Sequence, residues 1–295
     1  MGFSFQQRRL RFTFHLATVV FDKEGDPDKV EIVDFRSQAE IQNTGGFDFA
    51  NCRGKIFGID QETMDRLTLI YDGVTPGLNS NVVIVEATDD DGAFSTVFRG
   101  EILHCAPAYN NAPNVPLEFS ARAGIIGALA PTYARSFPGP RLVSDMISGL
   151  ATELGYTFEN NGVQTVLIDQ TLAGTPMEML QSLKEAANLE MHIDTAENVL
   201  SIAPFGMPRE SDPIKISKET GLIGWPEKFA YYIEFQTLFN PDVHIGCKIE
   251  MESDYPICNG EWFINRSTFN LSCNMPGGPW FTEYAASKAN ILANR

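Results

Sequence analysis

The chain has 295 residues, with 38 acidic against 22 basic side chains, a formal net charge of −16 and 43% hydrophobic content. This length suits two or three compact units with real cores, and the charge disfavours adhesion to nucleic acid or anionic lipid. No run approaches the roughly 18 to 20 apolar residues of a membrane helix, and Gln6-Gln7-Arg8-Arg9 interrupts any apolar start. A soluble protein, made and kept in a cytoplasm and without membrane insertion, is therefore expected. Five cysteines (Cys52, Cys105, Cys247, Cys258, Cys273) are an odd number, widely spaced and without a CxxC, so free buried thiols are expected.

Residues 8–21 alternate as a strand, with Leu10, Phe12, Phe14 and Leu16 on one face and Arg9, Arg11, Thr13 and His15 on the other. Asp22 to Asp28 is a turn cluster, and Val30 to Phe35 resumes extended structure, giving a long hairpin. A mixed stretch with Thr44-Gly45-Gly46 leads to the extended Lys55 to Ile59, then to a short helix over Asp60 to Leu67 capped by Asp60, then to Thr68-Leu69-Ile70. Asn81 to Ala87 and Ser95 to Leu103 form a hairpin around Asp89-Asp90-Asp91-Gly92. The three aspartates invite a calcium reading, but an EF-hand places its ligands at alternate positions with a distal Glu, so a hairpin tip is favoured. Pro107 to Pro116 is extended, Leu117 to Ala121 is a strand, and Gly124 to Pro140 reads as a connector.

The stretch from Pro138 to Pro204 holds both long helices and organises the rest. After Pro138-Gly139-Pro140, the residues Val143, Met146, Ile147, Leu150 and Leu154 fall on one helical face that ends at Gly155. A second helix opens at Thr175-Pro176-Met177-Glu178, a capping box with proline at the first helical position, and carries Leu180, Leu183 and Ala187. Asn188 turns the chain into Leu189, Met191 and Ile193, which alternate with Glu190, His192 and Asp194 as in a half-buried strand. Thr195 to Asn198 returns it through Val199, Leu200 and Ile202. This is a helix, strand, helix, hairpin module, and it is the acidic part of the chain, with nine acidic and two basic residues in 138–204.

After Pro204, the loops Pro204 to Pro213 and Trp225-Pro226-Glu227 precede an aromatic strand, Phe229 to Leu238, in which Tyr231, Ile233 and Phe235 alternate. Asn240-Pro241-Asp242 is a turn, Lys248 to Met251 is extended, and Gly260 to Arg266 with Ser267 to Leu271 complete a second β region. Pro276 to Trp280 is a loop, and Thr282 to Ala293 is expected as a short terminal helix. The chain thus reads as mainly β, with residues 1–137 and 205–295 flanking a small α/β insert at 138–204, and no clear repeat relates the two β regions.

Chemistry is sparse. His15, His104, His192 and His244 sit on separate expected strands or strand ends, without HxxxH or HxH spacing, and read as strand residues. There is no GxSxG, P-loop or GxGxxG after a strand. Glu234, Glu250 and Glu261 could in principle supply a glycosidase carboxylate pair, which needs one acid in an apolar pocket; alternating Glu on strands is more simply a solvent face. No catalytic, cofactor-binding or metal-ligating residue, and no cofactor, is therefore expected.

The block from Asp145 to Pro204, specifically Leu167-Ile168-Asp169-Gln170-Thr171-Leu172-Ala173-Gly174-Thr175-Pro176 followed by a helix and Leu200-Ser201-Ile202-Ala203-Pro204, resembles baseplate hub proteins of contractile-tailed bacteriophages. Asn81 to Gly100, running on through Val97-Phe98-Arg99-Gly100-Glu101-Ile102, looks like the first hub domain, and Thr237-Leu238-Phe239-Asn240-Pro241 through Gly246 with Gly260-Glu261-Trp262 looks like the last. The region before Arg53 carries little of it. The resemblance implies two tail-tube-like β-barrel domains, residues 1–137 and 205–295, flanking the α/β module. It also implies a homotrimer whose six barrels form a pseudo-sixfold ring around a lumen for DNA. The implied partners are the tail tube or a tube-adaptor protein, the central spike, and the tape-measure and surrounding baseplate proteins, in a virion tail assembled in the host cytoplasm. Relatives include spike-base proteins of contractile injection systems. Two other readings are a hub-associated cell-wall hydrolase and a host-surface binding module.

Overall fold

The computed structural model describes residues 8–16, 29–45, 49–68, 81–89, 93–124 and 132–289. The turn expected at Asp22 to Asp28 lies outside these residues. So do Gly46, Leu69-Ile70, most of the aspartate hairpin tip (90–92), residues 125–131 of the expected connector and the end of the expected terminal helix. Among the described residues, eighteen strands and three α-helices make the chain mainly β, and no helix is long and apolar enough to cross a membrane. Contacts divide the chain into two units, one of Met1–Gln42, Ala50–Gly124 and Thr268–Thr282, the other of Asn43–Phe49, Ile125–Ser267 and Glu283–Arg295.

The first unit contains β1 (Arg9–His15), β2 (Lys29–Val33), β3 (Ser37–Asn43), β4 (Asn51–Phe57), α1 (Gln61–Leu67), β5 (Val82–Thr88), β6 (Ser95–Pro107) and β7 (Pro116–Arg122). Its strands run in the order β3-β4-β7-β6-β5-β1-β2, each neighbouring pair antiparallel. The alternation in β1 does what it promises: Leu10, Phe12 and Phe14 are buried, while Arg11 on the other face forks onto its cross-strand partner Glu86 at 2.6 and 2.5 Å. Phe12 and Phe14 pack edge-on against Phe119, with centroids 5.7 and 5.5 Å apart. Asp60 caps α1, accepting from the Thr63 N–H at 2.9 Å. The strand β3 falls in the stretch read as mixed, because its inward positions are Ser37, Ala39 and Ile41, a weak apolar signal for a fully buried face.

In the second unit the α/β module comprises β8 (Arg135–Leu142), α2 (Val143–Glu153), β9 (Thr157–Asn160), β10 (Val166–Leu172), α3 (Pro176–Ala187), β11 (Leu189–Asp194) and β12 (Val199–Pro204). The expected stripe of α2, Val143, Met146, Ile147 and Leu150, shares one core with Met179, Leu180 and Leu183 of α3 and with Met191, Leu200 and Ile202. Each such side chain contributes about 1.5–3 kcal/mol on burial. The start of α3 is a capping box: Thr175 Oγ1 accepts the Glu178 N–H at 3.2 Å and Glu178 Oε2 accepts the Thr175 N–H at 2.7 Å. Asn188 takes the left-handed conformation at φ 48° that ends the helix. The sheet order is β11-β12-β9, with β9 parallel to β12, while β8 and β10 form a separate antiparallel ribbon.

That ribbon corrects the connector reading, since the segment from Arg135 onward is strand despite Pro138 and Pro140. Among the described strands β8 pairs with β10 alone, and an edge strand tolerates prolines because their missing N–H groups can face away from the ladder. A register irregularity at Ile168/Gln170, with Asp169 accepting the Gly139 N–H at 2.7 Å, accommodates the bend.

The remainder of the unit is β13 (Ile214–Ile216), β14 (Leu222–Lys228), β15 (Tyr232–Leu238), β16 (Lys248–Met251), β17 (Gly260–Cys273) and β18 (Trp280–Ser287), the end of β17 and the start of β18 being counted with the first unit. Its order is β14-β15-β18-β17, with β16 antiparallel to β17 and β13 parallel to β16. Ile233, Phe235, Ile249, Trp262, Ile264 and Tyr284 form its core. Three expectations change here. Trp225-Pro226-Glu227 is part of β14, whose pairing slips between Ile223 and Glu227, so a bulge carries the proline. The two expected strands from Gly260 are one strand, and Thr282 onward is β18, because Thr282, Tyr284 and Ala286 alternate into the core rather than wind as a helix. All five cysteines are buried and unbridged.

Candidate functional site

In β11, Leu189, Met191 and Ile193 point into the module core as expected, but His192 and Asp194 on the opposite face are also buried, at 7% and 3% exposure. The half-buried expectation fails because residues far ahead in the sequence cover that face. Arg209, from the loop after β12, donates from Nη2 to Glu159 of β9 at 2.8 Å and from Nη1 to Glu197 of the β11–β12 turn at 2.9 Å, with Asp194 at 4.0 Å. His244, in the loop between β15 and β16 rather than on a strand, places Nδ1 3.1 Å from Asp194 Oδ2 and Nε2 3.6 Å from Glu197 Oε1. Asp194 Oδ1 accepts the backbone N–H groups of Ala196 and Glu197 at 2.9 and 3.0 Å, which shapes the turn. Gly246, at φ 81°, lets its loop approach: a Cβ there would sit 2.9 Å from His192 and 3.0 Å from Arg209.

The electrostatics follow from burial and neighbours. Burial alone would raise the Asp194 carboxyl, but the hydrogen bond from His244 and the charges of His244 and Arg209 hold it below its usual range. Burial would depress His244, yet Asp194 and Glu197 carry it above its ordinary value. His192 is pushed down to about 4 by burial and by the charges of Arg209 and Lys184, so it is neutral near pH 7. Burial lifts the nearby Cys247 thiol to about 11, so it stays protonated near pH 7. The donor atoms of Asp194, Glu197 and His244 lie within 4.8 Å of one another, a grouping that spacing along the chain could not reveal. Arg209 already supplies a positive charge there, which makes this an ion-pair network. The readable signal was small: two polar residues on a strand whose other face is core.

The carboxylates considered for hydrolysis lie on three strands of the second unit, β15, β16 and β17. Glu250 and Glu261 are cross-strand partners on a solvent face, and Glu234 is bound by Arg266 at 2.6 Å. His15 ends β1, and His104 is exposed on β6.

Several large apolar side chains are exposed. Trp225 is 70% exposed on β14, and Tyr255 and Ile257 are exposed on the turn that Cys258 Sγ holds 3.7 Å from the Pro226 carbonyl oxygen. On the ribbon, Leu142 and its partner Val166 are exposed alongside Ile168. Clustered exposed apolar side chains of this kind mark interaction surfaces.

The family model described as baseplate hub gp41 matches residues 70–276. A search of curated proteins gave no significant match. Among solved structures, a tail protein from Neisseria meningitidis superposes with TM-score 0.63 at 11% identity, over 95% of this chain and 98% of that one. The 43 kDa tail protein of prophage MuSo2 from Shewanella oneidensis gives 0.60 at 8% identity, over 96% and 99%. An Escherichia coli type VI secretion component, described as similar to the T4 tail proteins gp27 and gp5, gives 0.56 at 10% identity, over 88% and 74%. At these identities the superpositions speak for the fold.

Proposed function

Because the chain belongs to the baseplate hub gp41 family, we propose that it is the structural hub of a contractile phage tail: a homotrimeric, pseudo-sixfold ring joining the tail tube to the central spike and letting DNA pass. Membership makes it a component of the viral tail baseplate. The family match over residues 70–276 carries the reading. The mainly β architecture and the superposition over nearly the whole chain on tail proteins support it. In this reading residues 1–137 and 205–295 supply the tube-like barrels and 138–204 the module between them. Partners are the tube or its adaptor, the spike, and the tape-measure and neighbouring baseplate proteins, with assembly in the host cytoplasm. The role is one of contact: it requires no cofactor, metal or catalytic residue, and the placement of Glu234, Glu250 and Glu261 weighs against hydrolysis.

The test is mass in solution. Light scattering on the purified chain, alone and with tube or spike protein, should report three times the 32.7 kDa of the chain. A monomer at every concentration and with every partner would overturn the ring.

A further inference from the structure

We propose that His244 is a proton-operated latch that fastens the β11–β12 turn of the α/β module to the loop leading into β16. Its parts come from separate stretches of one unit: Glu159 on β9, Asp194 and Glu197 at the turn, Arg209 after β12, and His244 itself. Three carboxylates face one guanidinium. When His244 is neutral the network therefore carries two uncompensated negative charges; its proton removes one. The proton also lets both ring nitrogens donate, Nδ1 toward Asp194 at 3.1 Å and Nε2 toward Glu197 at 3.6 Å. The other groups at this place hold one state. Cys247 remains a thiol, its pKa about 11, and His192, pushed to about 4, remains neutral across the range in which His244 titrates.

The direction follows from linkage. Burial works against the proton on His244, but the two carboxylates outweigh it and raise the group above its unfolded value of about 6.5. Its contribution is complete below about pH 6.5 and is lost as pH rises through the folded value. His192 acts oppositely. Because its folded value is depressed, stability falls as pH drops from about 6.5 toward 4, so a global melting curve superimposes two trends. The latch is therefore read locally.

Hydrogen exchange of residues 194–198 and 240–247, corrected for intrinsic rates, is compared at pH 6 and pH 8.5 in the wild-type protein and in H244Q. Protection in both segments should be lost at the higher pH in the wild type and should be low and unchanged by pH in H244Q. In parallel, labelled histidine resonances should include one that titrates above about 6.5 and is missing from H244Q. A His244 ring that titrates at or below that value, or the same pH response of both segments in H244Q, would overturn the latch. If H244Q does not fold, the wild-type titration decides, with the signal assigned through the change it undergoes in the conservative variant E197Q.

Discussion

At Gly54 the requirement for a missing side chain is steric. It sits opposite Phe119 in the β4–β7 register, and an added Cβ would lie 2.2 Å from that ring. The ring cannot simply turn aside, because Phe12 and Phe14 pack against it edge-on. Gly54→Ala should therefore overpack the core and destabilise the fold by about 1–3 kcal/mol, read as a lower denaturant midpoint. An unchanged midpoint would mean that the ring relaxes freely. The sequence shows Gly54 only as a glycine between Arg53 and Lys55; its reason lies 65 positions away, on another strand. Asp194 is the same kind of case. Its burial was hidden because an aspartate alternating with apolar residues reads as solvent-facing, and the groups that cover it, Arg209 and His244, come from loops that follow.

Among the elements, the helices were the most readable, since caps and apolar stripes act over a single turn or two. Asp60, Thr175, Glu178 and Asn188 all take the local roles their types suggest. Thr175→Ala removes the acceptor for the Glu178 N–H and should cost about 0.5–2 kcal/mol, lowering the melting point of the protein with no change in its assembly. No change in melting would remove the capping argument. Strands were legible where alternation was strong, as in β1 and β11, and less so where pairing decides. The stretch Arg135–Leu142 carries two prolines yet forms a strand because β10 lies beside it, and Trp280–Ser287 mixes small and aromatic residues that suit a helix or a strand equally. In both cases the partner strand chooses the backbone conformation, and the partner is remote in sequence.

For the whole molecule, charge is the property most tied to the proposed role. A passage for DNA has to avoid holding it, and each lysine or arginine on its wall would release counterions from phosphate and favour retention. The chain carries 38 acidic against 22 basic side chains, and the described basic groups are widely paired: Arg9 with Asp34, Arg11 with Glu86, Arg135 with Glu153, Arg209 with Glu159 and Glu197, Arg266 with Glu234. Such pairing leaves the excess of carboxylates to set the field at the surface, and the proposed ring would concentrate that field in its lumen. The assembled protein should accordingly fail to retard duplex DNA in a gel even at about 50 mM salt, where an electrostatic binder is strongest. Retardation that strengthens as salt is lowered would show a basic track on the assembly and would contradict the proposed passage for DNA. A trimer that ignores DNA at low salt is the joint outcome the hub reading requires, because the ring supplies the passage and the repulsion keeps it clear.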